Sequence, residues 1–186
     1  MDHTPLGGGF ADPPHQSAEA FRSIMQAMAR PGRILETGGA IAPAPLSVAA
    51  STVIATLCDP DTGIHLAGGH DTDAVRDWIA FHTGARLVGA GDAHFVLGPW
   101  DAIDLAPLPL GTAEYPDRSA TVIVEMETLH TAGATLTGPG IKDTAALNLP
   151  DRVLFQRNAA RFPLGLDFLF TCGTRIAALP RSTKVT

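Results

Sequence analysis

The stretch GLDFLFTCGTRIAALP (165–180) restricts the fold of this chain more than any other. Apolar and aromatic runs stand on both sides of Gly173-Thr174, which predicts two strands closed into a hairpin. Glycine at the first central position suits a type II′ turn. The same second half holds TVIVEME (121–127), a further strand whose Val122 to Val124 belong in a core, and TAG leading into ATLTG, which suggests a hairpin there. GIHLA (63–67) and HFVLG (94–98) are shorter strand candidates, and WDAIDLAPLPLG (100–111) is a proline-rich passage with room for a short helical turn.

Helical patterns occupy most of the remainder. In ADPPHQSAEAFRSIMQAMARPG (11–32), Asp12 can cap a helix and Pro13 or Pro14 fits its first turn; Phe21, Ile24, Met25 and Met28 recur at helical spacing as the predicted inner stripe. Arg30-Pro31-Gly32 stops it, because the residue before a proline is pushed out of the helical region. A second helix is expected in residues 44–63, with Leu46, Ala49, Val53, Ile54 and Leu57 on one stripe and Asp59-Pro60 ending it. A third is expected in 71–84, capped by Asp71, with Val75, Trp78 and Ile79 inward and Gly84 as the stop. DRVLFQRNAARF (151–162) reads as a fourth. Helices interleaved with strands predict an α/β class: one domain over 1–186, a mixed β-sheet flanked by helices in α/β/α layers, with a loose Gly-rich residues 1–11.

Composition bounds the function. The chain has 186 residues, 17% of them charged, against roughly 25% in average soluble domains, and its mean hydropathy is +0.14. So little charge suits a surface buried against other subunits, or else a compact α/β domain with a large core. The net charge of −6 comes without a basic stripe, which argues against nucleic-acid binding. The amino-terminal MDHTPLGGGF lacks the apolar core of a signal peptide. The longest low-charge run, 40–58, carries two prolines and reads as core, not as a membrane span. A cytoplasmic location is expected. Cys58 and Cys172 are lone and read as small buried hydrophobes, with a disulfide between them left open.

Motif chemistry is sparse. Gly138-Pro139-Gly140-Ile141-Lys142-Asp143-Thr144 has the residue types of a phosphate loop but not the GxxxxGK[ST] spacing, and Pro139 has no amide hydrogen to donate. A strand-ending turn is the better reading, although its amides could still meet an anion. Gly89-Ala90-Gly91 precedes a strand rather than a helix, so a dinucleotide fingerprint is rejected. His65 and His70 stand near Asp71 and Asp73, which a solvated turn with a helix cap explains better than a metal site. His82 is read as a core histidine. No GxSxG is present, and Lys142 and Lys184 are the only lysines. Neither is well placed for a Schiff base with pyridoxal phosphate.

Six segments in order resemble the PhnH family of the bacterial carbon–phosphorus lyase system. They are FRSIMQAMARPG (21–32), TLCDPDT (56–62), FHTGARLV (81–88), GTAEYPDRSATVIV (111–124), LTGPGI (136–141) and FPLGLDFLFTCGTRIAALPRSTKV (162–185). The resemblance implies a fold similar to the large domain of pyridoxal-phosphate-dependent transferases, without that cofactor. It implies a homodimer that assembles with the PhnG, PhnI and PhnJ subunits into a core complex. That complex would join an alkylphosphonate to the ribose of ATP, displacing adenine, with catalytic residues on other subunits.

Glu114, Tyr115, Asp117 and Arg118 are the densest chemical cluster and the first candidates for binding or contact, and Lys142 in the 138–144 turn is a further one. No nucleophile, metal set or phosphate loop accompanies them, so the stretch is read as the lead-in to a strand with a polar, contact-making tip. The alternatives are a free-standing enzyme on a nucleotide or phosphonate, with Arg118 gripping phosphonate oxygens and Glu114 or Asp117 taking a proton, and a small-molecule pocket that regulates assembly.

Overall fold

The computed structural model describes residues 7–186. In chain order the elements are β1 (Gly9–Phe10), α1 (Pro13–Ala29), β2 (Leu35–Glu36), β3 (Ala40–Ile41), α2 (Val48–Leu57), β4 (Gly63–Leu66), α3 (Asp73–Thr83), β5 (Arg86–Leu87) and β6 (Phe95–Pro99). There follow β7 (Thr121–Glu125), β8 (Ala134–Thr137), β9 (Ala145–Leu147), α4 (Arg152–Ala159), β10 (Asp167–Cys172), β11 (Arg175–Leu179) and β12 (Lys184–Val185). The expectation of a loose stretch over residues 1–11 does not hold at Gly9–Phe10. Gly9–Phe10 pair antiparallel with Ala40–Ile41, and residues 1–6 lie outside the described residues.

The centre is a mixed seven-stranded sheet in the order β2-β11-β10-β7-β6-β4-β5. Strands β5, β4, β6, β7 and β10 run parallel, and β11 turns back antiparallel through the predicted hairpin. Gly173 takes a φ of 62° in that turn, a backbone state that glycine enters without a Cβ clash. Side chains alternate across the sheet at period two. Ile64, Leu97, Ile123, Leu169 and Ile176 meet α1, α2 and α3 on one face. Val96, Val122, Val124, Phe168 and Phe170 point to the other, against Phe155 of α4 and the apolar side of a three-stranded sheet, β12-β8-β9.

That second layer corrects a local expectation. ATLTG does not pair back on TVIVEME: Ala134–Thr137 lies between Ala145–Leu147 and the carboxy-terminal Lys184–Val185. The layer is therefore one helix plus a small sheet. The Phe155 ring stands edge-on to Phe168 at 4.8 Å and locks α4 to the central strands.

Helix α1 corrects another. Its buried side chains are Ala20, Ile24 and Ala27, whereas Phe21 and Met25 are 49% and 52% exposed. The alanines present little bulk, and α1 packs closely on α2. Helix α3 is capped by Thr72, whose hydroxyl accepts from the Val75 amide, not by Asp71, which pairs with Arg76 instead. Cys58 and Cys172 are both free thiols; burial pushes the Cys58 thiol up to about 12, which keeps it protonated and inert.

Candidate functional site

Three polar regions surround this frame. The first lies at the amino edge of the parallel strands. Residues 111–119 turn back just before β7, with Thr112 accepting the Tyr115 amide at 3.0 Å and Pro116–Arg118 forming a single 3₁₀ turn. Glu114, Tyr115, Asp117 and Arg118 are all exposed, and the Arg118 guanidinium lies 4.0 Å over the Tyr115 ring. The structure therefore brings Tyr115 and Arg118 together and leaves both carboxylates in solvent. Lys142 is elsewhere, on the β8–β9 turn.

The group that organises this edge is Arg181, just after β11. Its guanidinium donates to the Asp167 carboxylate at the start of β10, to the Pro116 carbonyl and to the Ser119 hydroxyl, while its own amide donates to Asp167 at 2.8 Å. Both side chains are largely enclosed, at 13% and 17% exposed. A planar fork satisfied on every side is a structural latch, tying the tail and the 111–119 loop to the strand ends. Sequence reasoning missed Arg181 because its partners are remote along the chain.

The second region is the carboxyl edge. Glu125, the last residue of β7, accepts the Ser47 amide at 2.8 Å and the Thr171 hydroxyl at 2.9 Å. Ser47 caps α2, so this carboxylate sits at the positive end of a helix. His70 follows β4 in a short 3₁₀ turn and is 8% exposed, yet neither ring nitrogen has a hydrogen-bond partner among the described residues. Burial pushes its pKa down, and the nearby Glu125 charge opposes that shift. His70 is therefore held neutral at pH 7, with one ring nitrogen free to accept and the other to donate. Chain order reverses direction between β4 and β6, and ligands in open α/β sheets bind outside the carboxyl ends of strands at such a point. Beside the β10–β11 turn a cavity of about 360 Å³ is lined by Glu19, Ser23, Glu36, Thr37 and Thr174.

The expected histidine turn is dispersed. His65 bonds the Val88 carbonyl through Nδ1, His70 turns inward, and Asp71 pairs with Arg76. Among the described residues no group of three or more His, Cys, Asp or Glu side chains is placed to hold a metal ion, and no helix is long and apolar enough to cross a membrane. His82 is half-buried against Trp78 and Phe81. Glu125 was hidden in the sequence as the polar end of a strand. Only its position after four β-favouring residues could have flagged it.

The third region surrounds Lys142, where Arg30 and Arg33 from the end of α1 share a cavity with residues 140–145.

The fold and these sites define an open α/β-sheet protein with a buried histidine, unpartnered among the described residues, at the carboxyl edge and an enclosed arginine latch at the amino edge. Residues 8–186 match the family described as PhnH, bacterial phosphonate metabolism protein, and the chain belongs to that family. It is 42% identical over 190 residues to the alpha-D-ribose 1-methylphosphonate 5-triphosphate synthase subunit PhnH of Rhizobium meliloti, covering 96% of this chain and 94% of that protein. It is 28% identical over 172 residues to a putative C-P lyase subunit protein, HtxG, of Stutzerimonas stutzeri, covering 89% and 84%. The resemblance read from the six segments is borne out.

Proposed function

We propose that this chain is a subunit of a complex that forms ribose 1-alkylphosphonate 5-triphosphate from ATP and an alkylphosphonate, in the carbon–phosphorus lyase route of phosphonate catabolism. The carrying observation is the 42% identity to a synthase subunit over nearly the full length of both chains. The chain acts in the cytoplasm as a homodimer with PhnG, PhnI and PhnJ partners, and ATP is the substrate of the assembly. Two features support a subunit over a free-standing enzyme. The Glu114–Arg118 cluster lies exposed at the amino edge, where the adjacent Ser119 hydroxyl is taken up by Arg181, and the apolar Phe21 and Met25 of α1 are exposed as a subunit contact would be.

The chain works without pyridoxal phosphate. Lys142 and Lys184, its only lysines, belong to the small sheet and its turn, away from the carboxyl edge of the large one. Affinity purification from cells grown on methylphosphonate as sole phosphorus source tests the reading. Companion subunits should copurify in fixed proportion, and recovery of the chain free of them would overturn it.

A further inference from the structure

The third polar region is unexplained by the fold. Arg30 and Arg33 flank the Pro31-Gly32 stop of α1, and Lys142 sits on the β8–β9 turn; together with Gly140, Ile141, Asp143 and Thr144 they line a cavity of about 220 Å³. Among the described residues, none of the three cationic side chains has a carboxylate within salt-bridge distance or any side-chain hydrogen bond. The amides of Lys142, Asp143 and Thr144 donate to no backbone carbonyl of the turn either. Three cations facing one acid, Asp143, over a run of free amides form an anion-attracting concavity.

The close approach that builds it is specific. Gly32 and Gly140 both take positive φ, 85° and 81°. A Cβ on Gly140 would stand 2.0 Å from the Ala29 carbonyl oxygen, and one on Gly32 would stand 2.6 Å from the Ala145 Cβ. Only with glycine at both positions can the helix end and the turn touch and converge their charges. The end of α1 presents carbonyls, which repel an anion; three cations at that place are more than capping one helix end requires.

We infer that this cavity binds the phosphate chain of a nucleoside triphosphate or of the ribose 5-triphosphate product. The charge count carries the choice: three donors of positive charge match a chain of phosphates better than one. The size agrees, since about 220 Å³ falls below the roughly 300–1,000 Å³ that encloses a drug-sized ligand. The site holds the charged tail and leaves base and ribose outside. The triphosphate assignment rests on the proposed role in the synthase; the anion site itself rests on geometry alone.

Calorimetric titration of the purified chain tests it, with inorganic phosphate, tripolyphosphate and ATP as probes. Tripolyphosphate and ATP should bind alike and about tenfold or more tighter than phosphate, because each charge-assisted contact is worth about a factor of ten. Arg33→Gln with Lys142→Gln should weaken tripolyphosphate by about a hundredfold on the same basis. Arg86→Gln, on edge strand β5 of the other sheet, should leave it unchanged. No heat with any probe, or binding indifferent to the double variant, overturns the site. Melting curves without ligand show that the double variant is folded. Copurification of the double variant with companion subunits separates the two readings. Loss of partners without any tripolyphosphate binding by the parent chain makes the cavity a protein contact and overturns the ligand site. Retained partners with absent binding overturns the site while the subunit role stands.

Discussion

The two edges of the large sheet carry similar side chains and use them differently. At the amino edge, Arg181 and Asp167 are enclosed, and their hydrogen bonds run to each other, to Pro116 and to Ser119. At the carboxyl edge, Glu125 is anchored to the start of α2, but His70 is buried with both ring nitrogens unpartnered among the described residues. A saturated network fixes geometry. A buried group left unsatisfied marks a place where the fold has not optimised itself. Chemical density along the sequence points to the first edge, and the unpartnered His70 points to the second.

The comparison breaks most readily at the latch. Asp167→Ala leaves the Arg181 guanidinium and amide without their acceptor in an enclosed setting, and should cost about 3 kcal/mol in urea unfolding. A loss near that of a surface substitution would show the amino edge is not structural. Glu125→Gln keeps the shape but removes the charge at the α2 end, and should cost about 1 kcal/mol by the same measurement.

That variant also sharpens the role of His70. Its folded pKa lies below the ordinary 6.5, so the folded state binds fewer protons than the unfolded chain. Stability is full above 6.5 and falls as the pH drops from there toward the lowered value, below which the loss is complete. Denaturation midpoints from neutral to acid pH should show this fall, and His70→Gln should flatten it. Glu125→Gln removes the field that raises the His70 pKa, so the fall should extend to lower pH. The smallest effect belongs to Arg118→Ala. Its exposed guanidinium lies over the Tyr115 ring, and its loss should change stability by less than about 0.5 kcal/mol.

Much of the frame was legible in the sequence, and for physical reasons. The β10–β11 hairpin is local, so its turn chemistry and flanking runs suffice. Helices α2 and α3 declare themselves by period and stops. What failed was non-local. The pairing of Ala134–Thr137 with Lys184–Val185 joins distant segments that carry no turn signal between them. On α1, apolar spacing fits two faces, and the small residues Ala20 and Ala27 choose the inner one by allowing close contact with α2. The site divides in the same way. Tyr115 and Arg118 are neighbours and were read together; the exposed, contact-making tip proposed for them stands at the end of a latch whose arginine no spacing could have found. Lys142 was legible as a phosphate-loop fragment that failed its motif, but Arg30 and Arg33 reach it only through packing at Gly32 and Gly140.

In this protein, the fold supports chemistry that a larger assembly performs. Adenine release from ATP in the presence of methylphosphonate tests it most directly, with the purified chain alone and with its companion subunits added. Release should occur only when the partners are present, and should be lost when this chain is left out of the mixture. Turnover by the chain alone would contradict it.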